Sequence, residues 1–101
     1  METINLRLER SFTMKRNLIY IVTETKKVCN EDGKYNIVYR RMLDAYDTKE
    51  KAIMRIRFDT DAYRRSPDDF TLTETNDTII EVTNNLTKTK RIWDVVIVQL
   101  K

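Results

Sequence analysis

The chain holds one thiol, Cys29, and no histidine. A cysteine nucleophile needs a base beside it to take its proton, and histidine is the commonest such base. Cys29 therefore reads as a small packing residue of a hairpin. Paired carboxylates are the other route to hydrolysis or magnesium chemistry. Asp59 and Asp61 stand two apart on a stretch with helical spacing, which turns them about 200° from one another. Asp68 and Asp69 adjoin the single proline, Pro67, where aspartate is ordinary turn chemistry. With one glycine, Gly33, no glycine-rich phosphate loop can be built. No catalytic residue, metal ligand or cofactor is expected. A carboxylate–metal enzyme is the most distant of the readings considered.

Aromatic and cationic residues carry a second kind of chemistry. Tyrosines on a sheet can stack bases while neighbouring Arg and Lys hold phosphates. Tyr35 and Tyr39 are expected on one strand face with Arg41 next along it. Lys90 and Arg91 precede Trp93 on the last strand, and Arg55, Arg57, Arg64 and Arg65 make the central helix arginine-rich. These ten residues form the candidate partner or nucleic-acid surface. Against a nucleic-acid role stands the charge balance: 19 basic and 16 acidic residues leave only +3, and the acids lie among the bases. Dedicated binders gather cations on one face. The competing reading of Tyr35, Tyr39 and Trp93 is packing, where rigid aromatics contribute the most area.

The elements that must position these residues follow from periodicity. Ile4, Leu6, Leu8, Phe12 and Met14 alternate with polar residues, apart from a break at Arg10. This predicts an additional N-terminal strand or arm within residues 1–16. Leu18 to Val22 is a continuous apolar run of strand formers, expected at the centre of a sheet. Asn30-Glu31-Asp32-Gly33-Lys34 supplies turn chemistry, so residues 18–46 predict a long antiparallel hairpin. Asp47 or Thr48 opens a helix, with Glu50 placed as in a capping box. Ala52, Ile53, Ile56, Thr60 and Tyr63 form its buried stripe, and Pro67 ends it near Arg65. Three strands follow, over about 70–75, 78–83 and 91–100. Asn76-Asp77-Thr78 and Asn85-Leu86-Thr87 match glycosylation sequons and read as turns.

The order is β-ββ-α-βββ. It predicts one α+β domain over residues 1–101, an antiparallel sheet of five to six strands with one helix packed on one face. The helix entered through Asp47-Thr48-Lys49-Glu50-Lys51-Ala52, set between two hairpins and followed by the strand carrying Trp93, resembles in layout the small uncharacterised ββαββ proteins of gut-bacterial and phage genomes. The resemblance spans about Lys15 to Lys101. It implies a compact accessory or binding protein with no assigned chemistry, and it transfers no site residue.

Area sharpens the expectation. Residues 18–22 and 92–98 are apolar on both faces, whereas a sixteen-residue helix, roughly 24 Å by 10 Å, shelters only one. The second face is expected to carry half of each run together with Trp93, and a patch of that size marks a contact surface. The N-terminal strand or another molecule must cover it, and a second copy across a two-fold axis is the simplest partner. The expected protein is therefore a non-catalytic interaction protein, phage- or mobile-element-related. It would self-associate, with a dimer favoured, and bind an unidentified protein partner as a structural accessory or an inhibitor of a host protein. The alternative is a nucleic-acid-binding module. The lone cysteine, the absence of an apolar run of spanning length and an N-terminus without signal-peptide character predict a reducing cytoplasmic location and no membrane association.

Overall fold

A computed structural model describes residues 17–100. The strand expected before Lys15 lies outside them. Strand β1 (Leu18–Cys29) turns into β2 (Tyr35–Tyr46), helix α1 (Lys49–Arg64) follows, and β3 (Phe70–Asn76), β4 (Ile79–Asn84) and β5 (Lys90–Gln99) complete the chain. Every pairing is antiparallel and the spatial order is β2-β1-β5-β4-β3. The architecture is α+β, with five described strands in one sheet and one helix. The two runs that are apolar on both sides, β1 and β5, are neighbours at the centre, where continuous hydrophobic runs belong.

The local chemistry explains the turns. The Asn30 carboxamide oxygen accepts from the amides of Asp32 (3.0 Å) and Lys34 (2.9 Å). Gly33 then sits at φ +80°, which a side chain would resist. The Asn76 oxygen plays the same role for the Thr78 amide at 2.8 Å. Thr48 caps α1, its hydroxyl accepting from the Lys51 amide at 3.2 Å. The capping box expected from Asp47 and Glu50 does not form. With Thr48 as the cap, the third helical residue is Lys51, whose ammonium pairs with Asp47 at 2.9 Å instead.

Ala52, Ile56 and Thr60 are buried along α1, as expected, while Ile53 and Tyr63 are half-buried. They meet Val22, Ile80, Val82, Trp93 and Val95 from the sheet. Thr60 satisfies its hydroxyl internally by donating to the Ile56 carbonyl at 2.9 Å. The helix thus lies over the side of the sheet shown by Val22, Glu24, Val82, Trp93 and Val95. Pairing of Glu24 with Trp93 and of Thr23 with Asp94 fixes which residues share a face. Trp93 therefore belongs to the helix side, only 4% exposed, and not to the second face. Alternation along β5 gives that second face to Asp94 instead.

Candidate functional site

The expectation that Tyr35 and Tyr39 share a face is overturned by two irregularities in β2. Lys26 pairs with Tyr39 but Lys27 pairs with Ile37, so Val38 is an extra residue. Val22 and Thr23 likewise bracket Leu43. Each bulge reverses the alternation beyond it. Tyr39 and Arg41 consequently face the helix side, and Tyr35 faces away. There the ammonium of Lys90 lies 4.6 Å from the Tyr35 ring centre and 3.3 Å from Glu81.

On the helix side, residues of β1, β2 and β5 together with α1 line a trough. Its centre is Glu24, whose side chain is 3% exposed. One carboxylate oxygen accepts from Arg41 Nε at 2.9 Å and Nη2 at 2.8 Å, and the other lies 3.8 Å from Arg91 Nη1. The hydrogen bonding of Arg41 to the accepting Glu24 carboxylate, and then the charge of Glu24, hold the Arg41 guanidinium above its usual pKa. Arg41 also lies over the Tyr39 ring at 5.2 Å. Arg91 Nη1 donates to the Tyr63 hydroxyl at 3.4 Å. The Tyr63 ring stands edge-on to Phe70 at 4.8 Å and tilted against Trp93 at 6.0 Å, so it joins the trough to the core.

The helix arginines are neutralised locally. Arg55 Nε donates to both Asp59 oxygens at 2.9 and 3.1 Å, and Arg55 Nη1 lies 3.6 Å from Asp44. Arg64 pairs with Glu74 at 3.0 Å, and Arg65 with Asp61. Arg57 is exposed on the outer side of α1. The ten candidate residues therefore do not make one surface. Tyr39, Arg41, Arg55 and Arg91 meet in the trough, Tyr35 and Lys90 lie on the opposite face, Arg57, Arg64 and Arg65 flank the helix, and Trp93 is core. Four of the α1 and cap cations, Lys51, Arg55, Arg64 and Arg65, are tied to carboxylates one turn or one strand away, which breaks up a basic stripe along the helix.

Two cavities open along the trough and share Tyr63 and Arg91. One, of about 230 Å³, is walled by Glu24, Arg41, Arg55, Asp59 and Trp93. The other, of about 280 Å³, is walled by Lys26, Phe70, Asn84 and Thr89. Sequence reasoning missed Glu24, Lys26, Tyr63 as a site residue, and Asn84. Glu24 had a signal: it is the acid on the same alternating face as Tyr20 and Val22 in a central strand, where a charge must find partners. Asn84 and Thr89 had none, since a loop must fold before its polar atoms converge. Asp59 and Asp61 point to different partners, Arg55 and Arg65. No group of three potential metal ligands occurs among the described residues.

The face opposite α1 is the other candidate. Ile19, Ile21, Ile92, Val96 and Val98 lie on it as half-buried residues of the two central strands, with Ile79 beside them. Ile37 and Met42 of the edge strand β2 are each 64% exposed there. Among the described residues no helix or second sheet lies on this face. Comparison with protein-family models, with curated proteins and with solved structures finds no match for the chain.

Proposed function

We propose that the protein is a non-catalytic interaction protein that self-associates through the sheet face opposite α1. The observation that supports this reading is the pairing of Ile19 with Val98 and of Ile21 with Val96 on that face, an apolar quartet on the two central strands beside the Thr23–Asp94 pair. The quartet's side chains are already half-buried, so covering what remains exposed adds only a part of the roughly 1.5–3 kcal/mol that full burial of each supplies. At about 4.8 Å between strands and about 3.3 Å per residue, the face measures on the order of 700 Å². A standard interface buries about 800 Å² on each partner, so one such face suits a two-fold dimer in which the same patch meets itself. Charges of both signs toward the hairpin end, Lys27, Lys90 and Glu81, fit a self-complementary rim. A role as an accessory, or as an inhibitor of a host protein, is the part of this proposal that rests on the expected resemblance in layout to small ββαββ proteins of phage and gut-bacterial genomes.

Light scattering on the full chain tests the reading. The wild type should run at twice the chain mass of 12.1 kDa. Ile21→Glu and Val96→Glu should give folded monomers by circular dichroism. A wild type that stays monomeric at high concentration would refute self-association. The nucleic-acid alternative has weaker support, because Arg55, Arg64 and Arg65 are already ion-paired. It would require an affinity for DNA or RNA that falls steeply with salt.

A further inference from the structure

The larger cavity has a one-sided chemistry. Lys26 and Arg91 are directly opposed across β1 and β5, so their side chains rise from the same face and both line it. No carboxylate is among the lining residues; Glu24, in the adjoining cavity, has an oxygen 3.8 Å from Arg91 Nη1, whereas Lys26 has no carboxylate partner among the described residues. Across from the two cations stands the loop between β4 and β5. There the Asn84 side-chain oxygen accepts from the amides of Leu86 (2.9 Å) and Thr87 (3.0 Å). Those bonds settle the orientation of the carboxamide and leave its NH₂ as the group not engaged by the loop. The Thr87 and Thr89 hydroxyls are 3.0 Å apart, and one can donate to the other only once, so one hydroxyl proton of the pair stays free. The two cations, the Asn84 NH₂ and the spare hydroxyl proton give this cavity a surplus of donors.

The rim is also held in place. Lys88 takes a left-handed φ of 65°, a conformation rarely seen outside glycine and asparagine. The Lys88 amide donates to the Asn84 carbonyl at 2.8 Å and the Asn84 amide to the Thr89 carbonyl at 2.9 Å. The floor differs in kind: Phe70, Val82 and the Tyr63 ring are apolar. A cavity of about 280 Å³ lies at the lower end of small-molecule sites, large enough for one ring with one charged group.

We infer that this cavity binds a single nucleotide unit, a phosphate monoester whose sugar links it to a flat ring. The phosphate lies between Lys26 and Arg91, and the ring rests on Phe70 and Val82. Donors arriving from two strands on one side and a loop on the other suit a tetrahedral three-oxygen acceptor better than a planar carboxylate. The unit can come from a free nucleotide or from the 5′ end of a single strand, and the chemistry at the cavity is the same.

Isothermal titration and amide-shift mapping on the full chain test this with adenosine monophosphate, adenosine, inorganic phosphate and a 5′-phosphorylated oligothymidine. Adenosine monophosphate should bind saturably and shift the Asn84, Thr87 and Thr89 amides. Adenosine, which loses the charged contacts, and inorganic phosphate, which loses the ring's contact with Phe70 and Val82, should each bind at least about tenfold more weakly. Lys26→Ala and Thr89→Val should weaken binding, whereas Lys27→Ala, one residue along and on the opposite face, should not. Tighter binding of the oligothymidine with the same dependence on Lys26 identifies a strand end as the source. Absence of saturable binding by either nucleotide probe, indifference to Lys26→Ala, or inorganic phosphate binding as tightly as the nucleotide would each overturn the inference.

Discussion

Trp93 is 4% exposed, and its indole Nε1–H is a buried donor with no acceptor among the described residues. Replacing it by phenylalanine sets two effects against each other. The smaller ring leaves a void on the order of 40 Å³, which at about 24 cal/mol per Å³ costs roughly 1 kcal/mol. Apolar area lost with the second ring, some ~40 Å² at about 25 cal/mol per Å², adds about 1 kcal/mol. Relief of an unpaired buried donor returns about 1–3 kcal/mol. The terms nearly cancel, so Trp93→Phe should lie within about 1 kcal/mol of wild type. Trp93→Ala, which removes the contact with Tyr63 as well, should cost about 3–5 kcal/mol. Urea unfolding followed by far-ultraviolet circular dichroism reads both variants without using tryptophan fluorescence. A loss above about 2 kcal/mol for Trp93→Phe would show that the indole N–H is satisfied in solution and that the reasoning is wrong.

Three smaller perturbations test the local chemistry. Thr48→Ala removes the helix cap and should destabilise by about 1 kcal/mol, whereas Thr48→Asp, which also caps, should hold stability in the same unfolding assay. Gly33→Ala should cost about 1 kcal/mol by calorimetry although a methyl there meets nothing within 4 Å, because the penalty lies in φ +80°; Gly33→Asn should cost less. Glu74 is held below the usual carboxylate range, first by the hydrogen bond from Arg64 and then by the charges of Arg64 and Arg57. A depressed folded pKa stabilises above the unfolded value and loses that stabilisation as pH falls through the folded one. Glu74→Gln should therefore flatten the acid limb of a melting-temperature profile below about pH 4. Both partners are about a third or more exposed, so solvent screening holds the change to a few tenths of a kcal/mol. An unchanged limb would exclude the pair as a contributor.

Much of the architecture could be read from residue types because short-range physics decides it. The apolar runs at Leu18–Val22 and Ile92–Val98 mark the two central strands, since continuous runs of strand formers belong at the middle of a sheet. Asp32-Gly33 and Thr48 mark a turn and a helix start through bonds that span four residues or fewer. The buried stripe of Ala52, Ile56 and Thr60 follows from 3.6 residues per turn. The faces of β2 could not be read, because the bulges at Val38 and Leu43 are set by pairing with a strand that the one-dimensional pattern does not contain. The same pattern placed Trp93 on the far face, whereas pairing with Glu24 turns it under the helix.

Composition and spacing by themselves determined the class of fold, the order of its described elements and the absence of histidine, because each depends on residue type or on neighbours a few positions apart. Tertiary structure alone decided which cations stay available. Arg55 and Arg64 meet carboxylates on other elements, and Arg41 is held by a buried Glu24 seventeen residues away in the chain. Lys26 and Arg91 converge with Asn84 and Thr89 from separate segments. Coulomb and hydrogen-bond energies act through space over a few ångströms, so a charge's partner is a property of the folded register and not of the string of residues.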